Sequence, residues 1–208
     1  MKDITYVYLI RHAEQLKEEG IKNINENSQI SNEKIPLSVE GEKQAENISR
    51  LKELNNIDTL WSSNYVRAIS TAKYIAFNNK IDINIDVNLN ERRLGDLQEL
   101  RILGKSKKYS YTKEQLLDEN LKNIGGENRK EVTKRMEEAL NRILSENNVK
   151  KIAIVSHGAA IKFLLMKWCK LNKNAEIEFR NKVLTLNSPG ILKLIFENKE
   201  LLDIMQVI

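Results

Sequence analysis

The sequence predicts an α/β fold of three layers, α/β/α, with a mostly parallel central sheet and an antiparallel edge strand near the C-terminus. Three observations predict it. Two short runs, Tyr6-Val7-Tyr8-Leu9-Ile10 and Ile152-Ala153-Ile154-Val155, are continuously apolar, the pattern of strands buried on both faces. Segments with a helical apolar period fall between the strand candidates, so strand and helix alternate. The C-terminal stretch differs: residues 191–196 and 201–208 flank Glu197-Asn198-Lys199-Glu200 and read as two strands joined by a turn.

Taken in order, the first strand ends abruptly at Arg11-His12. Ser38 is suited to cap a helix carrying Ala45, Ile48, Leu51 and Leu54 on one stripe. Weaker strand candidates, Thr59-Leu60-Trp61 and Ile81-Asp82-Ile83-Asn84-Ile85, bracket a helix with Ala68, Ile69, Ala72, Ile75 and Ala76 on one face. Val132, Met136, Ala139, Leu140 and Ile143 mark another helix. The strand at 152–155 ends at Ser156-His157-Gly158, and residues 160–168 form a helix apolar nearly all round, as a well-buried helix is. From about 100 to 126 there is no clear apolar period. Such a stretch reads as a lid-like insertion in a single domain of residues 1–208.

Composition narrows the functional classes. The chain has 208 residues, 30% charged and 41% hydrophobic, the balance of one ordinary water-soluble domain. The formal net charge is +5, and basic runs such as Lys105, Lys107 and Lys108 are short. They read as solvated surface, and Tyr109 and Tyr111 do not make a stacking platform, so no nucleic-acid partner is expected. A mild positive field suits an anionic substrate. The one cysteine, Cys169, sits in an apolar segment and reads as a buried small hydrophobe; no Cys/His cluster suggests a metal. Lys162 and Lys167 break the only long apolar stretch, so no membrane span is expected. The N-terminal residues run into a strand without a signal-peptide pattern, and the expected location is the cytoplasm.

The chain holds two histidines, His12 and His157, each directly after the end of a predicted buried strand. In open α/β sheets ligands bind at the carboxyl ends of strands, so the two rings can meet over one site. Arg11 precedes His12, and Arg67 opens the helix after the strand at 59–61. A guanidinium offers a rigid fork of donors suited to phosphate oxygens. Two Arg and two His around one point make a pocket for a tetrahedral dianion.

Leu9-Ile10-Arg11-His12-Ala13-Glu14 resembles the Arg-His-Gly signature of the histidine phosphatase superfamily, whose founding members are the cofactor-dependent phosphoglycerate mutases. Further segments resemble that family's in order and spacing: Pro36-Leu37-Ser38 with Gly41, Gln44 and Ala45; Ser63 to Ala72 around Arg67; Leu89-Asn90-Glu91 with Gly95; Gly126-Glu127 with Val132 and Arg135; and Val155-Ser156-His157-Gly158. The resemblance implies that His12 is a nucleophile forming phosphohistidine and that Arg11, Arg67, His157 and Gly158 surround the phosphoryl oxygens. It implies that Glu91 protonates the leaving oxygen and then takes a proton from water; if Glu91 is structural, the donor is to be sought at Glu14 or Glu127. It implies no metal and no cofactor, and a small-molecule phosphoester as partner. The chain departs from the family pattern at Ala13 (usually Gly), Gln15 (Thr or Ser), Glu99 (often Gly) and Lys162 (commonly Arg).

Leu89-Asn90-Glu91-Arg92-Arg93-Leu94-Gly95-Asp96-Leu97-Gln98 resembles the mutases' form of the acid segment. True mutases, however, carry a long insertion with an Arg-Arg pair after it, whereas here residues 102–128 contain no Arg. The resemblance therefore favours a metal-independent phosphomonoesterase over a mutase-like phosphotransferase, and both over a non-catalytic phosphoester-binding protein. Specificity is expected to lie in residues 100–126 and in the loop from 15 to 36.

Overall fold

In a computed structural model, residues 4–16, 28–95, 111–146 and 150–208 are described. The elements are β1 (Ile4–Arg11), α1 (Ser28–Lys34), α2 (Val39–Ser49), β2 (Thr59–Ser62), α3 (Val66–Asn79), β3 (Ile83–Ile85), α4 (Tyr111–Leu117), α5 (Arg129–Ile143), β4 (Lys151–Ser156), α6 (Gly158–Leu165), β5 (Lys170–Leu171), β6 (Ile177–Phe179), β7 (Lys182–Val183), β8 (Gly190–Glu197) and β9 (Glu200–Gln206). The main sheet has the order β3-β2-β4-β1-β8-β9. β1 to β4 are mutually parallel where they pair, while β8 runs antiparallel to β1 and β9 antiparallel to β8. The fold class read from the sequence is the one observed.

The continuous apolar runs have a direct cause. Along β1, Val7 and Leu9 point into one hydrophobic cluster and Tyr8 and Ile10 into another; β4 divides Ile152 and Ile154 from Ala153 and Val155 in the same way. Helices cover both faces, so neither set of alternating side chains can be polar. α2 and α3 supply Ile48, Ala68, Ala72 and Ile75 on one side. On the other, α5 buries Val132, Met136, Ala139, Leu140 and Ile143 against Ile161, Phe163 and Leu164 of α6. Each large apolar side chain so buried contributes about 1.5–3 kcal/mol.

Several boundaries differ from the sequence reading. α2 ends at Ser49, and Leu54 reaches the core from a separate 3₁₀ turn, Lys52–Leu54. Leu51 is extended between them, which breaks the expected single stripe. α6 stops at Leu165, before Trp168, and β3 begins at Ile83. The small antiparallel sheet β5-β6-β7 was not legible: its strands have two or three residues, and Arg180 and Asn181 turn between β6 and β7 with positive φ. Of the stretch expected to form a lid, residues 111–126 carry α4, whose Leu116 joins the main core, and residues 100–110 lie outside the described residues. Glu99 and the Lys105, Lys107 and Lys108 run lie outside them too. No helix among the described residues is long and apolar enough to cross a membrane.

The start of α2 clamps the chain leaving β1. Ser38 caps the helix through Oγ, which accepts from Gly41 N at 2.9 Å, and its backbone N–H donates to Glu14 O at 3.0 Å. Gln44 Oε1 accepts from Glu14 N at 3.1 Å, and Ala45 packs with Ala13 and Leu37. Ala13 does not adopt positive φ, so its methyl, which replaces the family's hydrogen, fills this cluster without strain. Gly41 is the close approach: a Cβ there would lie 2.0 Å from Glu14 O. Gly41→Ala must push α2 away from the segment that carries His12. The expected cost is about 1–3 kcal/mol, read as a fall in the urea midpoint at unchanged m-value.

Candidate active site

Three adjacent parallel strands end level. Arg11 of β1 pairs with Ser156 of β4, and Ser62 of β2 pairs with Val155. The pairing continues one step past the strands, since His12 N donates to Ser156 O (3.0 Å) and Ser63 N to Val155 O (3.1 Å). His12, His157 and Ser63 therefore stand in a row across the carboxyl edge of the sheet. The two rings lie 5.1 Å apart, His12 5% exposed and His157 fully buried.

His12 Nδ1–H donates to Ala13 O at 2.7 Å, which fixes the tautomer and leaves the lone pair on Nε2. Arg67 Nε donates to that Nε2 at 3.2 Å, while its other nitrogens bind the carbonyl and side-chain oxygens of Asn32 in α1. Burial, and then the Arg67 guanidinium, lower the His12 pKa to about 3, so the ring is neutral at pH 7.

Ser63 Oγ lies 2.7 Å from His157 Nε2 and accepts from Tyr65 N at 3.3 Å. The other nitrogen of that ring is Nδ1. That Nδ1 is buried without a hydrogen-bond partner. Arg11 is in the same condition: Nη1 donates to Leu186 O at 2.9 Å, yet its buried Nε has no partner. Gly158 makes room for it, because a Cβ at Gly158 would stand 3.0 Å from Arg11 Nε. Two buried nitrogens, Arg11 Nε and His157 Nδ1, thus have no partner among the described residues, the condition of polar atoms that await a ligand.

Glu91 reaches the same point from the loop after β3. Its Oε1 accepts from Arg92 N (2.9 Å) and Ala160 N (3.0 Å), and its Oε2 from Ala159 N (3.1 Å), the last two at the start of α6. Its neighbours Arg92 and Arg93 could have paired with it in a salt bridge. Instead the Arg92 guanidinium turns to Thr112 and packs over Tyr111, and Arg93 faces Glu127 at 3.9 Å. Two residues without a role in the sequence reading hold this loop. Ser156 Oγ donates to Leu89 O at 2.7 Å. Arg135 uses all five N–H groups, two on the Glu127 carboxylate and three on the carbonyls of Asn88, Asn90 and Glu91.

That clamp holds Glu127, one of the alternative proton donors. Burial pushes the Glu127 pKa up, but hydrogen bonds and charge from Arg135 outweigh it and the pKa falls. Glu14 accepts from Ser38 Oγ at 2.8 Å, on the α2 side of the site. Lys162 lies one helical turn beyond Gly158 and lines a separate cavity of about 280 Å³ with Leu186 and Asn187. Beyond Glu91 lies another cavity, of about 350 Å³, walled by residues that include Gln29, Glu33, Val87, Asn90 and Arg93. Gln29 and Glu33 belong to the loop in which specificity was expected. Among the described residues no group of three His, Cys, Asp or Glu side chains could hold a metal ion.

The neutral histidines make a pH prediction. The His157 pKa is also lowered well below its usual value by burial, with His12 and Arg67 adding to it. The unfolded chain takes up protons on both rings near pH 6.5, whereas the folded chain does not. Below about pH 6.5 the unfolded state therefore binds more protons, and stability must fall as pH drops toward 3. Because the chain has only these two histidines, both sets of ring NMR resonances should stay at neutral positions between pH 8 and 5 in the folded protein. A midpoint near 6.5 for either ring would contradict the buried geometry.

Known proteins resemble this chain in sequence and in fold. The family model for the histidine phosphatase superfamily (branch 1) matches residues 7–189. The chain is 30% identical over 177 residues to the probable phosphoglycerate mutase GpmB of Erwinia tasmaniensis, covering 84% of this chain and 79% of that protein. It is 30% identical over 136 residues to phosphoglycerate mutase-like protein 4 of Arabidopsis thaliana, covering 62% of this chain and 59% of that protein, less than two thirds of its length. Among solved structures, the native mycobacterial glucosyl-3-phosphoglycerate phosphatase superposes with a TM-score of 0.71 at 17% identity, over 99% of this chain and 98% of that one. A phosphoglycerate mutase from Bacillus anthracis str. Sterne gives 0.71 at 17%, over 99% and 93%. At that identity the two structures share the fold alone. The match over most of the chain places it in the histidine phosphatase superfamily, branch 1.

Proposed function

We propose that the chain is a metal-independent phosphomonoesterase that works through a phosphohistidine on His12. What carries this reading is the pair of buried, unpartnered nitrogens, Arg11 Nε and His157 Nδ1, in a site where His12 Nε2 keeps its lone pair; with the His157 proton on Nδ1, both would donate to a phosphoryl oxygen. Nε2 attacks phosphorus, the bond to the leaving oxygen breaks, and the Glu91 carboxyl gives that oxygen its proton. Water then attacks the phosphohistidine as the Glu91 carboxylate accepts its proton, and inorganic phosphate leaves with the N–P bond electrons returned to Nε2. Phosphoryl transfer depends on positioning and charge stabilisation, and the Arg11 and Arg67 guanidiniums supply the positive charge a metal would otherwise bring.

The second reading, a mutase-like phosphotransferase, draws on the Leu89 to Gln98 segment and on the names of the two relatives. The absence of Arg between residues 102 and 128 argues against it. A cytoplasmic location belongs with either reading.

Rapid acid-free quench after mixing with ³²P-labelled substrate should trap an acid-labile phosphoenzyme that His12→Ala lacks. Turnover should persist in excess EDTA and without a bisphosphoglycerate primer. A phosphoenzyme surviving in His12→Ala would sink the assignment, and dependence on the primer would favour the mutase.

Leaving-group dependence separates Glu91 from the clamp. An alkyl phosphate leaves as a strongly basic alkoxide and needs a proton, whereas p-nitrophenolate needs little help. Glu91→Gln should lower turnover of an alkyl phosphate by about 10²- to 10⁴-fold and of p-nitrophenyl phosphate far less. Arg67→Ala should slow both alike, because the transferred group is common to them. Equal losses for Glu91→Gln would make it a binding residue.

A further inference from the structure

Arg67 is a buried cation held by neutral groups. It is 2% exposed, a depth at which a guanidinium ordinarily sits against a carboxylate. No ion pair of Arg67 occurs among the described residues; its hydrogen bonds go to His12 and Asn32. Burial lowers the Arg67 pKa, and the charge of Glu91 opposes this from beyond ion-pair distance. The Glu91 oxygens themselves accept from the N–H groups of Arg92, Ala159 and Ala160.

The fork is oriented by α1. Nη1 donates to Asn32 O at 2.5 Å and Nη2 to Asn32 Oδ1 at 3.2 Å, so one residue grips both terminal nitrogens. The side of the fork that carries Nε is thereby turned to His12 Nε2, at 3.2 Å. Gln29 stands three residues before Asn32, on the same side of α1, and donates to the Tyr65 hydroxyl at 2.5 Å. The Tyr65 ring is fully buried, lies 4.9 Å from the Arg67 guanidinium carbon and packs 4.7 Å from His157. Contacts from α1 thus brace Arg67 at its end and through the ring against its face. An amide oxygen and a backbone carbonyl accept hydrogen bonds without cancelling charge. A carboxylate in their place would offset the positive charge that a phosphoryl group needs.

We propose that Asn32 is a positioning residue of the phosphoryl site: as a neutral acceptor it holds the Arg67 fork toward His12 and leaves its charge for the transferred group. Asn32 acts through Arg67 and does not itself touch the phosphoryl oxygens. The inference rests on the phosphomonoesterase reading, in which Arg67 stabilises that group.

The test is a double-mutant cycle on the full chain. Inorganic phosphate is titrated against the ring NMR resonances of the two histidines, which reads weak binding and needs no turnover. Asn32→Ala should weaken phosphate by about tenfold, the scale of hydrogen bonds to a charged group, but by about twofold or less in an Arg67→Ala background. A loosened fold would instead cost binding equally in both backgrounds. Asn32→Asp keeps the shape of the grip and adds a counter-charge, so it too should weaken phosphate by about tenfold. Asn32→Ala should slow p-nitrophenyl phosphate and an alkyl phosphate alike, as Arg67→Ala does. Equal losses in both backgrounds, or Asn32→Asp binding phosphate as tightly as the parent chain, would overturn the inference. Binding that follows the cycle in a chain with no hydrolysis and no phosphoenzyme would overturn the phosphomonoesterase reading alone. A parent chain that binds no phosphate would overturn both.

Discussion

The parallel pairing of β1 with β4 is the constraint on which the site depends. Residues 12 and 157 are 145 positions apart in the chain, yet the Arg11–Ser156 register sets their backbones side by side at one edge of the sheet. A slip of one residue would move every alternating side chain of β1 to the opposite core and carry His12 away from His157. Register is therefore enforced twice, once by the burial of Val7, Leu9, Tyr8 and Ile10 and once by the hydrogen bond from His12 N to Ser156 O. β2 joins the same register and adds Ser63, so three loops leave the sheet at one level.

Around that edge the molecule keeps two histidines neutral beside guanidiniums. Burial and positive neighbours act in the same direction on both rings, against protonation. The result is an unprotonated nitrogen on His12 facing donors, while the positive charge resides on groups that stay charged. Ser63 extends the arrangement: its Oγ occupies His157 Nε2, while the buried Nδ1 has no partner among the described residues. A clamp of this kind needs no reorganisation when an oxyanion arrives, which is the condition under which fixed donors are most effective.

The acid-bearing loop is held from beneath. Arg135, deep in the groove between α5 and the 3₁₀ turn at Val87–Leu89, spends its whole guanidinium on Glu127 and on three carbonyls, and so fixes the backbone from Asn88 to Glu91. The Glu91 carboxylate then meets the first free N–H groups of α6, directly after His157. One helix terminus thereby aligns the second histidine, the glycine that admits Arg11, and the carboxylate.

Much of this was legible in the chain. Buried strands show as unbroken apolar runs because helices cover both faces, and the residues just after such strands are the ones that can face a ligand; that reasoning alone reached His12, His157 and Arg67. Resemblance to a family added Glu91 and Gly158. Ser63 and Arg135 stood within the quoted motifs but carried no signal of their role, since a hydroxyl's partner and the target of a guanidinium fork are set by residues 94 and about 45 positions away. The β5-β6-β7 sheet escaped because strands of two or three residues have no period to read.

The sequence by itself determined the alternation of strand and helix, the two buried strands and the identity of the chemical groups at their ends, because these follow from local polarity and from residue chemistry. Only the tertiary structure decided the strand order, the tautomer of His12, and which arginines are spent on the protein and which are left unpartnered. Those properties depend on distances between residues far apart in the chain, and only the packed sheet and its helices set such distances.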